Sequence, residues 1–182
     1  MSSRTLLFTP SIKHTLFMTF KGFVTEGYLG TWYEHAKYEN DFEVVSRCIT
    51  AKFSNETGKD VLTVNEIVAD QQVTFSCPMR AASNGTGIIY FHFPFPKKID
   101  EGGAMPLVVL ASDVEKYLVM YNCRYDEGTQ KRAEIFWILS RSKTYDGETK
   151  AFIDDYLEKS SVLEKSKIIW YDFSPESCYT PL

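Results

Sequence analysis

Apolar and polar side chains alternate with a period of two in places along the chain. Residues 61–68 show it best. Val61, Thr63, Asn65 and Ile67 oppose Leu62, Val64 and Glu66, which is the signature of a strand with two unlike faces. Further strand-like runs, several of them apolar on both faces, cover 28–38, 47–53, 73–79, 88–93, 107–111, 117–125 and 133–141. Turn-forming residues separate them: Asn40-Asp41, Ser54 to Gly58, Asp70-Gln71-Gln72, Ser83-Asn84-Gly85-Thr86-Gly87 and Glu101-Gly102-Gly103. Pro94 and Pro96 confine the fifth run to an edge or a mouth. Eight short strands with turns between them predict an all-β sandwich or barrel, and the pattern alone does not choose. The period changes once. Over 146–159, Ala151, Phe152, Tyr156 and Leu157 fall at helical spacing with charges on the other side, and Asp146 suits an N-cap. A short last strand is expected at 167–171.

Composition narrows the class. The 182 residues suit one domain, with 44% apolar and 15% aromatic residues to fill a core or line a cavity. A net charge of −4 without a long basic run gives nucleic-acid binding no support. No apolar stretch approaches the roughly 20 residues of a membrane span. Cys48, Cys77, Cys123 and Cys178 are widely spaced, with no Cys-x-x-Cys pair. That spacing disfavours zinc and suits disulfides in an oxidising compartment. Asn55-Glu56-Thr57 and Asn84-Gly85-Thr86 are glycosylation acceptors if the chain is secreted. The first 22 residues contain no clean signal peptide, because Pro10, Lys13 and His14 interrupt their apolar stretches. They are expected to be a loosely ordered segment before a domain of residues 23–182.

One stretch anchors the rest. Gly30 and Trp32 form a Gly-x-Trp pair at the start of a strand, and Arg141 lies far downstream in Phe136 to Ser142. A guanidinium stacks well on an indole face. Together with residues 30–38 (GTWYEHAKY), 112–126 (SDVEKYLVMYNCRYD), 133–142, 147–157 and 170–178, this set resembles the lipocalin family. Within it, the likeness is to the insect bilin-binding protein and insecticyanin group, with apolipoprotein D and Lazarillo nearby. The resemblance implies an eight-stranded antiparallel up-and-down β-barrel, one helix packed outside, and an interior pocket for a small hydrophobic ligand. Gly30, Trp32 and Arg141 would close the barrel base as a structural group. The likeness points Ile135, Trp137 and Leu139 into the pocket. It places Asn65 and Ile67 there too, with Phe93 and Phe95 at the mouth and Asn122 on the neighbouring wall. Phe75 joins them only if the preceding turn is one residue shorter than the family's.

The bland alternative is that these aromatics simply fill the barrel, with Asn65 satisfying a neighbouring backbone group. The resemblance also implies a disulfide between Cys48 and Cys178. The family partner of Cys123 has no counterpart in the N-terminal segment, which leaves Cys123 free or paired with Cys77. Function follows as an expectation. The chain is an extracellular carrier, with a biliverdin-like tetrapyrrole as first candidate ligand. A retinoid, fatty acid or sterol competes. No catalytic residue, metal site or required cofactor is expected, and a homo-oligomer is left open. Three other readings compete. A pocket thiol at Cys77 would make an isomerase like lipocalin-type prostaglandin D synthase, but no His stands ready to activate it. Haem ligation would need His14, His35 or His92 to face the pocket. A membrane-anchored recognition protein like Lazarillo would need an apolar C-terminal tail, whereas the sequence ends Cys178-Tyr179-Thr180-Pro181-Leu182.

Overall fold

The computed structural model describes residues 25–40, 43, 45–94, 104–126 and 130–179. Eight antiparallel strands close into a barrel: β1 (Gly30–Tyr38), β2 (Arg47–Glu56), β3 (Lys59–Val68), β4 (Gln71–Ala81), β5 (Ile88–Phe91), β6 (Met105–Asp113), β7 (Tyr117–Asp126) and β8 (Lys131–Ser140). Each strand pairs with its sequence neighbour, and β1 pairs with both β2 and β8. That double pairing settles the choice between sandwich and barrel, because a closed ring leaves no free edge. Helix α1 (Gly147–Lys159) follows the ring, and β9 (Ile168–Trp170) bonds to β1 outside it.

Two hairpins are tighter than their composition predicts. The expected turn at 54–58 is only Thr57-Gly58, between paired Glu56 and Lys59. Both turn residues have positive φ, 52° and 81°, so the turn matches the twist of its strands. Asn55 holds it, accepting from Gly58 N at 3.1 Å and donating to Asp60 at 2.8 Å. The expected turn at 70–72 is instead Ala69-Asp70, with φ 45° and 64°. Non-glycine residues seldom adopt that conformation, so nothing in the composition marks the shortened turn. It fixes the β3–β4 register, with Leu62 opposite Cys77 and Val64 opposite Phe75.

The core has two layers. Inside the barrel, Trp32, Phe53, Leu62, Phe91, Leu118 and Leu139 pack with their neighbours. Outside, Ala36, Tyr38, Phe136 and Ile138 meet Ile153 and Leu157 of α1. Asp146 caps the helix, its Oδ1 accepting from Thr149 N at 2.6 Å. The buried helix face is Thr149, Ile153 and Leu157. This corrects the expected face, since Ala151 and Phe152 are exposed. Phe152 spends its ring on the surface, stacked on Tyr117 at 4.8 Å.

Candidate functional site

At one end of the barrel, Arg141, Trp32 and Tyr28 all find partners within the chain. Arg141 lies 3.8 Å over the Trp32 ring. Its Nε donates to Val114 O at 2.9 Å, Nη1 to Thr31 O and Nη2 to Gly27 O, both at 3.2 Å. The Trp32 indole donates to Tyr28 O at 2.8 Å, and Tyr28 Oη bonds Ser112 Oγ at 2.8 Å. Gly30 has φ +102°, and a Cβ there would stand 3.2 Å from Arg141 Nη1. Only glycine gives both the conformation and the space. The first turn and strand, the β6–β7 turn and the residue after β8 are thus clamped by one cation.

The opposite half of the interior is aromatic. Trp137 meets Phe91 edge-on at 6.2 Å and Phe93 at 6.1 Å. Phe93 stacks on Phe91 at 5.8 Å and meets Phe75 edge-on at 6.3 Å. Ile135, Trp137 and Leu139 line the inner face of β8. Phe75 also faces inward, opposite Val64 across the β3–β4 pair. Asn122 stands opposite Ile135 and so shares the inner face. Its amide donates to Pro106 O at 2.6 Å. Phe95 lies outside the described residues.

Two residues differ from the expected placement. Asn65 is exposed on the outer wall, where Thr74 Oγ1 donates to its Oδ1 at 2.8 Å. With Leu62 and Val64 turned inward, strand alternation turns Asn65 outward. Ile67 has the same parity. It is buried but belongs to neither apolar layer. Its cross-strand partner Arg47 holds the C-terminal tail, donating to Ser177 O at 2.7 Å and Tyr179 O at 3.0 Å. The inward residue of this stretch is Glu66, between Asn65 and Ile67 on the opposite face.

Glu66 belongs to a polar group that the sequence did not announce. The β1–β8 register slips between Glu34 and Ala36. Glu34 stands opposite Leu139 and Lys37 opposite Trp137, so both share the inward face, while Ala36 and Tyr38 join the outer layer. One inserted residue therefore turns two charges, three positions apart, into one interior. Glu43, from the segment after β1, joins them. Its Oε2 accepts from Lys37 Nζ at 2.7 Å, and its Oε1 from Trp137 Nε1 at 3.0 Å and Asn40 Nδ2 at 3.1 Å. Lys37 Nζ also stands 5.6 Å from the Tyr171 ring centre. Burial alone would lower the Lys37 ammonium, but Glu43 and Glu34 outweigh it and hold it above its usual value. Burial, then Glu43 and Glu66, push the Glu34 carboxyl well above the ordinary carboxylate range, against the pull of Lys37. Charge alternation in a strand of mixed polarity could have flagged Glu34 and Lys37, but no local signal marks the bulge that aligns them.

The reactive groups fall elsewhere. Cys48 and Cys178 form a disulfide, with Cα atoms 5.6 Å apart. Cys77 and Cys123 are both free, one buried inside and one exposed. Burial pushes the Cys77 thiol up to about 12, which makes it a poor nucleophile. His35 points out of the barrel. Its ring stacks on Tyr145 at 4.1 Å, and its Nε2 bonds Ser142 O at 2.8 Å. It borders a cleft of about 410 Å³ against α1 and β9, and burial lowers its pKa. His92 lies between Phe91 and Phe93, and both of those rings pack inward. His14 is outside the described residues. Among the described residues, no His, Cys, Asp and Glu cluster is placed to hold a metal, and no helix is long and apolar enough to cross a membrane.

Known proteins share this architecture. The model of the lipocalin / cytosolic fatty-acid binding protein family matches residues 29–170. The bilin-binding protein of Pieris brassicae is 33% identical over 156 residues, covering 83% of this chain and 79% of that protein. Apolipoprotein D of Macaca fascicularis is 29% identical over 140 residues, 74% of this chain and 69% of that protein. The solved structure of insecticyanin from Manduca sexta superposes with a TM-score of 0.77 at 25% identity, over 88% of this chain and 86% of that one. With a ring closed through β1, a cation-capped tryptophan at its base and a family match across the whole barrel, the chain belongs to the lipocalin family.

Proposed function

We propose that this lipocalin is an extracellular carrier that encloses one small hydrophobic ligand, with a biliverdin-like tetrapyrrole as first candidate. The observation that carries this reading is the inward aromatic wall of Trp137, Phe91, Phe93 and Phe75. Flat, polarizable surface beside a few convergent polar groups is the usual lining of a small-molecule site. The relative named for bilin binding supports the tetrapyrrole. Retinoids, fatty acids and sterols are the competing ligands. The Cys48–Cys178 disulfide suits an oxidising compartment. The thiol-isomerase alternative loses ground because Cys77 is held protonated and has no described base beside it.

Titration of the purified protein with biliverdin, retinol and a polyene fatty acid, followed by tryptophan fluorescence, tests the proposal. Saturable quenching at one ligand per chain is expected for at least one probe, and Trp137→Ala should weaken it about tenfold or more. Absence of quenching by all three would overturn the carrier reading.

A further inference from the structure

The interior carboxyl of Glu34 is a buried polar group that its described neighbours leave unfinished. Its side chain is only 8% exposed. Its Oε1 is buried without a hydrogen-bond partner among the described residues. Lys37 Nζ stands 3.9 Å away, beyond hydrogen-bond reach, and is committed to Glu43 at 2.7 Å. Glu43 itself is saturated by Lys37, Trp137 and Asn40. Glu34 therefore differs from its neighbours: it faces the interior from opposite Leu139 and lacks a donor. A buried acceptor without a donor is costly.

The charge balance says what would complete it. Among the described residues, three carboxyls, Glu34, Glu43 and Glu66, share this space with one ammonium, Lys37. A ligand carboxylate entering beside them would meet the like charge of Glu43 and Glu66. A ligand N–H would instead supply the missing donor. We infer that Glu34 anchors the ligand by accepting a hydrogen bond from it, and that the pocket selects flat apolar molecules presenting N–H donors over those presenting a carboxylate. This rests on the carrier reading and sharpens it, since it separates tetrapyrrole-like ligands, whose ring nitrogens carry hydrogens, from fatty and retinoic acids. Acidic substituents of a bound ligand would have to point toward solvent.

Three probes read the inference in the full-length protein. Biliverdin dimethyl ester carries N–H donors and no free acid. Retinyl acetate carries neither. cis-Parinaric acid carries a carboxylate, and its methyl ester is the matched control. Glu34→Leu should weaken the dimethyl ester at least tenfold and leave retinyl acetate within twofold, which also shows that the variant folds. Glu34→Gln keeps a carbonyl acceptor and should lose less than Glu34→Leu. In the parent protein, parinaric methyl ester should bind more tightly than the free acid. The inference is overturned if the dimethyl ester binds Glu34→Leu as well as the parent, or if the free acid outbinds its ester. Should retinyl acetate bind while either of those holds, only the inference falls. Should no probe bind the parent, the carrier reading falls with it.

Discussion

The two ends of the barrel solve the same problem in opposite ways. At the base, a half-buried cation is well used: the Arg141 guanidinium covers an indole and donates to three separate carbonyls. In the upper half, a buried cation is outnumbered. Lys37 satisfies Glu43, reaches Glu34 only loosely, and leaves one carboxylate oxygen without a donor. A structural element completes its own hydrogen bonds, because each buried polar group left open subtracts from a small net stability. A binding site leaves some open, because the ligand completes them. On the proposed carrier reading, the difference between the ends separates what holds this protein from what it holds.

Several measurements press on that contrast. The largest effect is expected from the rim of the upper half, where Cys48 at the start of β2 is bonded to Cys178 across 130 residues. Replacing both cysteines by serine should cost about 4–5 kcal/mol in the chain-entropy account, read by urea unfolding. An unchanged midpoint would show that the tail is held by Arg47 alone.

Next comes Trp32→Ala, which empties the base beneath Arg141 and should cost about 3–5 kcal/mol. A loss below about 1 kcal/mol would mean that the clamp closes without its indole.

The sharpest comparison pairs two substitutions to leucine. Arg141→Leu orphans three carbonyls and should destabilise by about 2–3 kcal/mol. Glu34→Leu removes one of three crowded carboxyls while Lys37 keeps Glu43, and should stabilise the ligand-free protein by about 1 kcal/mol at neutral pH. Equal signs for the two would dissolve the distinction between the ends.

The smallest effect is one of pH. The native Glu34 carboxyl is raised above its ordinary value of 4.5, so the folded protein holds a proton that the unfolded chain has released. Its contribution to stability is present below 4.5 and is lost as pH rises toward the raised native value. The advantage of Glu34→Leu over the parent should therefore grow between pH 5 and 8. A constant difference across that range would place Glu34 in a more solvated setting.

The sequence made the base legible because its parts are distinctive in themselves. A glycine two residues before a tryptophan and a distant arginine carry the lipocalin likeness, and the geometry joins them as that likeness implies. The upper half was harder to read. The family likeness points Asn65 into the pocket, yet Leu62 and Val64 face inward and Asn65 faces out. A strand with polar residues on both faces gives no local reason to prefer one parity. The helix was legible as a helix, through its period and its Asp146 cap, but its phase was not. Ile153 rather than Phe152 meets the barrel, because the outer wall of Ala36, Phe136 and Ile138 decides which face is covered.

By itself, then, the chain determined its strand count, its one helix, its disulfide-compatible cysteines and the family its barrel belongs to, since periodicity, turn chemistry and rare residue pairs are local properties. Only the folded ring decided which charges meet. The bulge after Glu34 and the two-residue turn at Ala69-Asp70 each shift a strand by one position. Because a strand's side chains alternate, one position carries a residue from solvent to interior, and no stretch of sequence shorter than the closed barrel holds that information.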